Sequence, residues 1–236
     1  MKRFIIEESF LEVFDDFRIG VIVLKGINNH KKGEDDYRSL LDDAMMESKK
    51  FYPNEDFSSN EVIRVWREAY SRFKTKKGAR SSIEALLKRV AKGNSIGTIN
   101  PLVDIYNAIS LKYGLPCGGE DIDKFAGDVR LTKAMGGEEF ITYGSDISEP
   151  PYQGEIVYKD DKGAICRCFN YRECVRTCLS EDTVNAFMVI ETVDQKSMER
   201  LNTAIEEMAS LISTYLGGEA TVYYLDKNNR EIIIEW

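Results

Sequence analysis

Histidine is almost absent from this sequence of 236 residues, and no long apolar run interrupts it. The single histidine, His30, lies in the polar stretch 28–33, which predicts a surface loop. A zinc site or a Ser-His-Asp relay would depend on that one ring. No apolar run approaches the ~20 residues that span a bilayer, and acids follow the first apolar residues too closely for a secretory signal. We therefore predict a cytoplasmic protein with no membrane partner.

The number and spacing of the cysteines fit neither a disulfide framework nor the paired motifs of common metal sites. The chain has five cysteines, an odd number, and the lack of an export signal then predicts reduced thiols. Four of them, Cys166, Cys168, Cys174 and Cys178, lie close enough in sequence to raise the alternative of a metal centre. Their spacing lacks the paired knuckles of common zinc ribbons, and thiols also serve as small core residues. We predict no metal and no cofactor.

Acidic residues outnumber basic ones, 40 to 32. The resulting net charge of −8 argues against nonspecific nucleic-acid binding, so DNA is not an expected partner. Residues 61–92 reverse the sign, since ten Lys and Arg against three Glu give +7 and leave −15 for the rest. Eight of these cations form what we call the basic belt: Arg72, Lys74, Lys76, Lys77, Arg80, Lys88, Arg89 and Lys92. Such a belt can contact phosphates while the remaining surface repels them. The alternative is a solvated surface of paired charges.

The hydrophobic periodicity predicts an α+β fold with a mixed β-sheet and flanking helices. Strands are expected at residues 4–6, 18–25, 129–133, 140–143, 155–158, 164–169, 186–190, 220–225 and 231–236. Helices are expected at residues 35–50, 58–73, 81–92, 101–113 and 194–216. No internal repeat or low-complexity linker divides the chain.

Two helices in the middle of the chain have clear end signals. Ser81 and Glu84 form a capping box for the first of them. Asn100 caps the second, and Gly114 ends it. A turn rich in glycine and proline is predicted to follow over residues 114–121, where the backbone could approach a ligand closely.

The segment 99–123 carries a specific pattern. It has a Val-Asp-x-x-Asn helix that includes Asn107, then Gly-x-Pro at residues 114–116, and then Asp121. In these features it resembles the B3/B4 domain of the bacterial phenylalanyl-tRNA synthetase β chain, and the resemblance covers roughly residues 58–191. It implies a free-standing protein of that family without a synthetase catalytic core.

The domain organisation expected from this resemblance is a single α+β domain over residues 1–236. Its B3/B4-like centre would span about residues 58–191. The N-terminal residues 1–57 and the C-terminal residues 192–236 would be additions packed on that centre.

The resemblance also implies a pocket, which in the synthetase hydrolyses tyrosine mischarged onto phenylalanine tRNA. Asn107 matches the asparagine that helps to line it, and Tyr106 stands where the synthetase has threonine. Gly118 stands where the synthetase has its editing histidine. The glycine-rich loop that completes the pocket appears here as residues 170–173, and Asp121 is expected to hold the turn. We expect the pocket to persist with an altered specificity.

Ester hydrolysis without that histidine needs other groups. The glycine-rich turn could offer backbone N–H groups to an oxyanion, and a carboxylate could orient the water. Arg172 or Arg176 could hold a carboxylate, a phosphate or the terminal adenosine, although each is equally typical of a surface ion pair. The predicted pocket residues are Tyr106, Asn107, Gly118, Gly119 and Arg172, and the catalytic candidates are Glu120 and Glu173.

These observations favour an RNA-binding protein, with tRNA as the expected RNA and a pocket for an aminoacyl end. Aminoacyl-tRNA deacylation in trans is the activity that the resemblance suggests. The alternative is a non-catalytic protein that binds or responds to a small amino-acid-like ligand, which the isoelectric point near 5.0 favours. A hydrolase for another amino-acid ester or amide is a third interpretation. The sequence contains no recognisable nucleotide-activating motif, so a complete synthetase is not expected.

Overall fold

The computed structural model describes residues 1–31 and 33–235, and these residues form ten strands and six α-helices. The strands are β1 (Lys2–Ile6), β2 (Arg18–Lys25), β3 (Cys117–Asp121), β4 (Val129–Lys133), β5 (Ile156–Lys159), β6 (Ala164–Arg167), β7 (Arg172–Glu173), β8 (Ala186–Thr192), β9 (Glu219–Leu225) and β10 (Glu231–Glu235). The helices are α1 (Glu8–Leu11), α2 (Glu34–Glu47), α3 (Glu61–Ser71), α4 (Ser82–Ala91), α5 (Pro101–Tyr113) and α6 (Gln195–Leu216). The predicted α+β class is confirmed.

Two sheets form the centre of the fold. The first has the strand order β10-β1-β4-β5-β6-β7, and its β1–β4 pair is parallel while its other pairs are antiparallel. It is therefore the mixed sheet that the sequence predicts. The second sheet, β3-β8-β2-β9, is antiparallel throughout. Sequence periodicity identifies most of these strands but does not reveal that they divide between two sheets.

The side chains of β8 alternate between two hydrophobic cores, because successive strand residues face opposite sides of a sheet. Phe187 belongs to the core between the two sheets, where its ring lies 5.0 Å from the ring of Phe4 on β1. Met188 and Ile190 belong to the second core, which α5 and α6 cover. The antiparallel sheet is therefore buried on both faces, with helices on one side and the mixed sheet on the other.

Helices α4 and α5 begin and end as their local sequence predicts. The Ser81 side chain accepts a hydrogen bond of 3.3 Å from the N–H of Glu84, and the Asn100 side chain accepts one of 3.2 Å from the N–H of Val103. Gly114 ends α5 in the left-handed conformation, at a φ of 65°. Only glycine adopts this conformation without a steric cost. Only half of the predicted capping box forms, because the Glu84 carboxylate accepts hydrogen bonds from Arg67 on α3 instead.

The turn predicted over residues 114–121 is wrong in its second part, since residues 117–121 form the edge strand β3. Gly118 lies opposite Val189 and Glu120 opposite Phe187 in the register with β8. Pairing with the buried strand β8 holds Gly118 and Gly119 in an extended conformation, and this overrides their local preference for a turn. At the end of β3 the outer edge of this strand is covered, because the Asp121 N–H donates a hydrogen bond to the carbonyl of Thr177.

The strand predicted at residues 140–143 is also wrong. The N–H of Phe140 donates to the Ser148 hydroxyl, and its carbonyl accepts from the N–H of Glu149. The segment is thus bonded to its own loop and, through the Ile141 carbonyl, to the N–H of Val175, and it forms no strand. Its period-two pattern reflects the burial of Phe140 beside Arg167, whose guanidinium lies 5.6 Å from the ring.

Helix α6 is the longest in the described part of the chain and is amphipathic. Its apolar face, which includes Leu201, Ile205 and Met208, packs on the antiparallel sheet. Gly20 on β2 permits this approach, since a β-carbon there would lie 2.4 Å from Ile205 Cδ1. None of the helices in the described residues combines the length and apolarity that a bilayer span requires.

Candidate functional site

A cavity of about 370 Å³ lies between the two sheets. Strands β3 and β8 contribute one wall, and β4, β5, β6 and β7 contribute the opposite wall. Helices α4 and α5 complete the lining with Ser82, Ala85 and Leu86 and with Tyr106 and Asn107. A space of this volume, enclosed mainly by apolar and aromatic groups with a few polar ones, is typical of a small-molecule site.

Strand geometry determines which side chains reach the cavity. Glu120 on β3 and Phe187, Val189 and Glu191 on β8 face it, because alternate residues of neighbouring strands share one side of the sheet. Gly118 shares that side but has no side chain, so it leaves room beside Val189. The antiparallel sheet therefore presents two carboxyl groups on an otherwise apolar surface.

Glu120 is an acidic group of the cavity wall with one unpartnered oxygen. The residue is 6% exposed, and its Oε2 has no hydrogen-bond partner among the described residues. Burial raises the pKa of Glu120 well above the usual range, because it disfavours the charged form. The nearby Glu173 raises that pKa further, because two negative charges would then lie close together. Both effects favour the neutral form of the Glu120 carboxyl group.

Glu173 lies on β7, across the cavity wall from β3. Its carboxylate accepts a hydrogen bond from the backbone N–H of Gly119. Burial raises the pKa of Glu173 to about 7, against the lowering effect of that bond. A carboxyl group with this pKa can both take and give a proton near neutral pH.

Glu191 is the third acid of the cavity, and its residue is 1% exposed. The Tyr158 hydroxyl donates to its Oε1 at 2.8 Å, and the Asn170 amide donates to its Oε2 at 2.9 Å. Burial raises the pKa of Glu191 to about 8, although both hydrogen bonds act to lower it. We call Glu120, Glu173 and Glu191 the acid trio.

Only one of the three polar residues along α5 faces this cavity. Asp104 accepts a 2.7 Å hydrogen bond from the N–H of Ile99, which fixes the start of the helix. Ser110 donates a 2.6 Å bond to the carbonyl of Leu115 after the helix end. Asn107 is the residue left to line the cavity, together with Tyr106.

Helix α4 separates the main cavity from a second one. Ser82, Ala85 and Leu86 line the main cavity, and Arg89 follows on the same line of the helix. The Oγ of Ser82 has no hydrogen-bond partner among the described residues. On the other side, Lys88 lines a second cavity of about 370 Å³. That second cavity also includes Arg67, Arg80, Ser81 and Glu84.

The basic belt is divided between paired and open cations. Lys76 pairs with Glu149, and Arg72 lies 3.7 Å from Glu68 while it also stacks 5.7 Å from the Phe14 ring. Lys74 lies 5.7 Å from the ring of Tyr152, and Arg89 donates to the carbonyl of Ser95. Arg80 and Lys88 line the second cavity, and Lys77 and Lys92 are exposed.

The two arginines near β7 have different surroundings. Arg172 is exposed at the rim of the main cavity, with its guanidinium 5.5 Å from the ring of Tyr171. Arg176 instead forms two hydrogen bonds, of 2.7 and 2.8 Å, to the buried carboxylate of Asp160. Arg176 is therefore committed to a structural ion pair, and Arg172 is the cation available to the cavity.

The four clustered cysteines have different surroundings. Cys166 lines the main cavity, whereas Cys168 lies 3.2 Å from Glu155 and Cys174 lies 3.2 Å from the Thr177 hydroxyl. Within residues 1–31 and 33–235, no three His, Cys, Asp or Glu side chains are placed to share a metal ion.

Sequence comparison identifies the family. A model of the B3/4 domain family matches residues 65–217, more than half of the chain. The chain belongs to the B3/4 domain family. The match begins and ends later than the predicted centre at 58–191, whose bounds stay a prediction.

Two curated relatives are β subunits of phenylalanine–tRNA ligase. The subunit of Mycoplasmoides gallisepticum is 26% identical over 140 residues, which is 59% of this chain and 17% of the relative. The subunit of Leifsonia xyli subsp. xyli is 33% identical over 70 residues, which is 30% of this chain and 8% of the relative. This B3/4 protein thus spans a small part of the length of the relatives it matches.

A solved structure gives a similar comparison. The crystal structure of an N-terminal fragment of the phenylalanyl-tRNA synthetase β subunit from Pyrococcus horikoshii matches with a TM-score of 0.47 and 11% identity. The match covers 93% of this chain and 49% of that fragment.

All seven residues predicted for the pocket and its chemistry lie in the lining of the main cavity: Tyr106, Asn107, Gly118, Gly119, Glu120, Arg172 and Glu173. Their roles toward a ligand stay predictions. Sequence reasoning missed Glu191 and Tyr158, and it placed Asn170 in the loop that completes the pocket without its hydrogen bond to Glu191. The period-two pattern of β8 could have placed Glu191 beside Val189, but nothing local indicates its hydrogen-bond partners. Asp121 holds the chain after β3 as predicted, since it accepts from the N–H of Asp123.

Proposed function

We propose that this B3/4 protein binds aminoacyl-tRNA, with the aminoacyl end in the main cavity and phosphates along α4. The observation that carries the proposal is the double role of α4. One line of this helix forms a wall of the cavity through Ser82, Ala85 and Leu86, and Arg89 extends that line. A strand of RNA that follows the helix toward the cavity would meet this cation before its 3′ end enters.

The charges in the cavity favour an ester over a free amino acid. Arg172 is the only Lys or Arg among the described lining residues, and it lies exposed at the rim. The interior instead contains the acid trio. A free amino acid would bring a carboxylate into this acidic interior, which costs free energy unless a cation accompanies it. Esterification removes that negative charge.

The open cations of the belt support phosphate binding. Arg80 and Lys88 lie together in the second cavity, directly across α4 from the main one. Arg67 lines the same cavity but donates to Glu84, so Arg80 and Lys88 are the stronger candidates for phosphate contacts. Each such contact would release a counterion and make binding dependent on salt.

Deacylation is the activity that the carboxyl groups support. Glu173, with a pKa of about 7, can take a proton from a water that attacks the ester carbonyl. In the protonated form, which its raised pKa favours, the Glu120 carboxyl can donate a hydrogen bond to the developing oxyanion. The bond between the acyl carbon and the ribose oxygen then breaks, the ribose oxygen takes the proton that Glu173 removed from the water, and the products are a free amino acid and uncharged tRNA. The glycine-rich segment is predicted to offer backbone N–H groups to the oxyanion, and of these the Gly119 N–H already donates to Glu173.

One observation favours the rival function, a non-catalytic protein that binds a small ligand. Lys76 pairs with Glu149, and Arg72 lies near Glu68, so part of the basic belt already has acidic partners. Such a belt would attract RNA less strongly than its sequence suggests.

Two assays on the whole chain separate these functions. Filter binding of unfractionated tRNA at increasing KCl concentration is expected to give an affinity that falls steeply with salt. Incubation with a panel of mischarged tRNAs is expected to release amino acid from at least one of them. Absent or salt-insensitive binding would contradict RNA recognition. Binding without release above buffer would leave a binding protein and remove the deacylase.

A further inference from the structure

We infer that the main cavity takes a ligand with a cationic side chain, a primary ammonium or a guanidinium, and holds this group against the acid trio. The inference deepens the proposed function, on which it rests for the ester linkage, by naming the class of aminoacyl group. A basic aminoacyl group carries two positive charges, one on its α-amino group and one on its side chain. The cavity offers carboxyl groups on two walls to receive them.

The first observation is the unpartnered oxygen of Glu120. Buried carboxyl oxygens are normally hydrogen-bonded, and an unpaired one costs free energy. Glu120 Oε2 has no partner among the described residues, although the residue is 6% exposed and lines the cavity. A ligand N–H group would supply the missing partner.

The second observation is the separate position of Glu191. Its two oxygens accept hydrogen bonds from Tyr158 and Asn170, so this carboxyl group is oriented by the protein. It lies on β8, whereas Glu173 lies on β7 in the opposite wall. Oriented acceptors on two walls match a ligand with N–H donors at two ends.

The groups around the trio do not neutralise it. Several lining residues are uncharged: those of α4, together with Asn107 on α5, Phe125 and Val129. The titratable or charged neighbours are Tyr70 on α3, Tyr106 on α5, Cys117 on β3, Tyr158 on β5, Cys166 on β6, Tyr171 before β7, Arg172 on β7, and Cys174, Arg176 and Cys178 after β7. Of these, Arg176 pairs with Asp160 and Arg172 is exposed. Among the described lining residues, no Lys or Arg side chain inside the cavity would therefore compete with a cationic ligand for these acids.

Binding of a cation should release protons. Glu173 and Glu191, with pKa values of about 7 and about 8, are mainly protonated at about pH 6 and mainly ionised at about pH 8.5. A cation stabilises the ionised forms, so its affinity rises as the pH rises between these limits. A ligand with a neutral side chain lacks this contribution.

The test is calorimetric titration of the whole chain with L-lysinamide and with L-norleucinamide. Both probes have the same α-amino group and no carboxylate, and they differ in the terminal ammonium. We expect lysinamide to bind about tenfold more tightly at about pH 7.5, and we expect the ratio to grow toward about pH 8.5. Equal affinities, a preference for norleucinamide, or no binding of either probe would overturn the inference.

Two variants assign the effect to the trio. Glu173→Gln and Glu191→Gln should each reduce the lysinamide preference by about tenfold, because these two groups ionise in the pH range tested, whereas Glu181→Gln, at an exposed position, should leave it unchanged. A preference that survives both cavity variants would contradict the inference. If one variant fails to fold, the comparison of the two probes on the natural chain still decides the result.

These outcomes are separable from the proposed function. Selective binding of lysinamide with no tRNA binding would retain the cationic cavity and remove the tRNA proposal. Salt-dependent tRNA binding with no preference for lysinamide would retain the tRNA proposal and remove the cationic cavity.

Discussion

A carboxylate oxygen of Glu173 lies 3.5 Å from the position that a β-carbon would occupy at Gly118. The other neighbour of that position, Val189 Cγ2, lies 3.7 Å away. Both distances are ordinary van der Waals contacts, and the φ of Gly118 is not in the left-handed region. The cavity can therefore accept a side chain at this point, directly beside a carboxyl group with a pKa of about 7.

Gly118→His tests whether the cavity supports hydrolysis. The imidazole would enter the cavity beside Glu173, whose carboxylate could orient it as a general base. We expect the rate of amino-acid release from a mischarged tRNA to rise about tenfold or more, with Gly118→Ala unchanged. A folded Gly118→His variant with the natural rate would contradict the proposed position of the ester.

Gly114→Ala tests the link between the end of α5 and stability. Gly114 has a φ of 65°, and a β-carbon there would lie 2.8 Å from the ring of Phe51. We expect a loss of about 1–3 kcal/mol in the free energy of unfolding, measured by urea denaturation. Gly118→Ala is the matched control and should change it by less than about 0.5 kcal/mol. Similar losses in both variants would be inconsistent with this description of the two glycines.

Glu191→Gln tests the buried acid through the pH dependence of stability. The pKa of Glu191 is raised to about 8 in the folded chain, from an unfolded value near 4.5. The folded state therefore keeps a proton that the unfolded state releases, so this group's contribution to stability is complete below about pH 4.5 and is lost as the pH rises through about 8.

Removal of the carboxyl group should flatten this dependence. We expect Glu191→Gln to be close to the natural chain at about pH 5 and more stable by a few kcal/mol, as an order of magnitude, at about pH 9. Urea denaturation at several pH values measures the difference, with Glu181→Gln at an exposed position as the control. Parallel curves for Glu191→Gln and the natural chain would show that the carboxyl group is not held neutral.

Arg80→Gln and Arg89→Gln test the proposed path of the RNA. Each change should weaken tRNA binding by about threefold to tenfold and should lower the slope of log affinity against log salt by about 1. Lys227→Gln, in the loop between β9 and β10, is the control and should have no effect. Unchanged salt slopes in both arginine variants would place the phosphates elsewhere.

The sequence predicts those parts of the fold that local chemistry determines. Helix α5 has its cap at Asn100 and its stop at Gly114, and both signals lie within the segment that they delimit. Strand β3 could not be predicted in the same way, because Gly118 and Gly119 favour a turn locally and only their pairing with β8 holds them extended.

The residues of the candidate site likewise divide into those that the sequence indicates and those that only the folded chain brings together. The family resemblance brings attention to Asn107, Gly118 and Glu173, and all three line the cavity. The hydrogen bonds of Glu191 to Tyr158 and Asn170 join residues that are 33 and 21 positions apart, so no short pattern reveals them. The pairing of Lys76 with Glu149, 73 positions away, is likewise invisible in the sequence and reduces the free charge of the basic belt.

The most direct test compares one tRNA in two forms, uncharged and carrying an amino acid through a stable amide link. Because the cavity is proposed to receive the aminoacyl end, the charged form should bind about tenfold more tightly to the natural chain, with a basic amino acid giving the larger gain. Filter binding at a fixed salt concentration measures both affinities. Equal affinity for the charged and uncharged forms would contradict the proposal that this cavity receives the aminoacyl end.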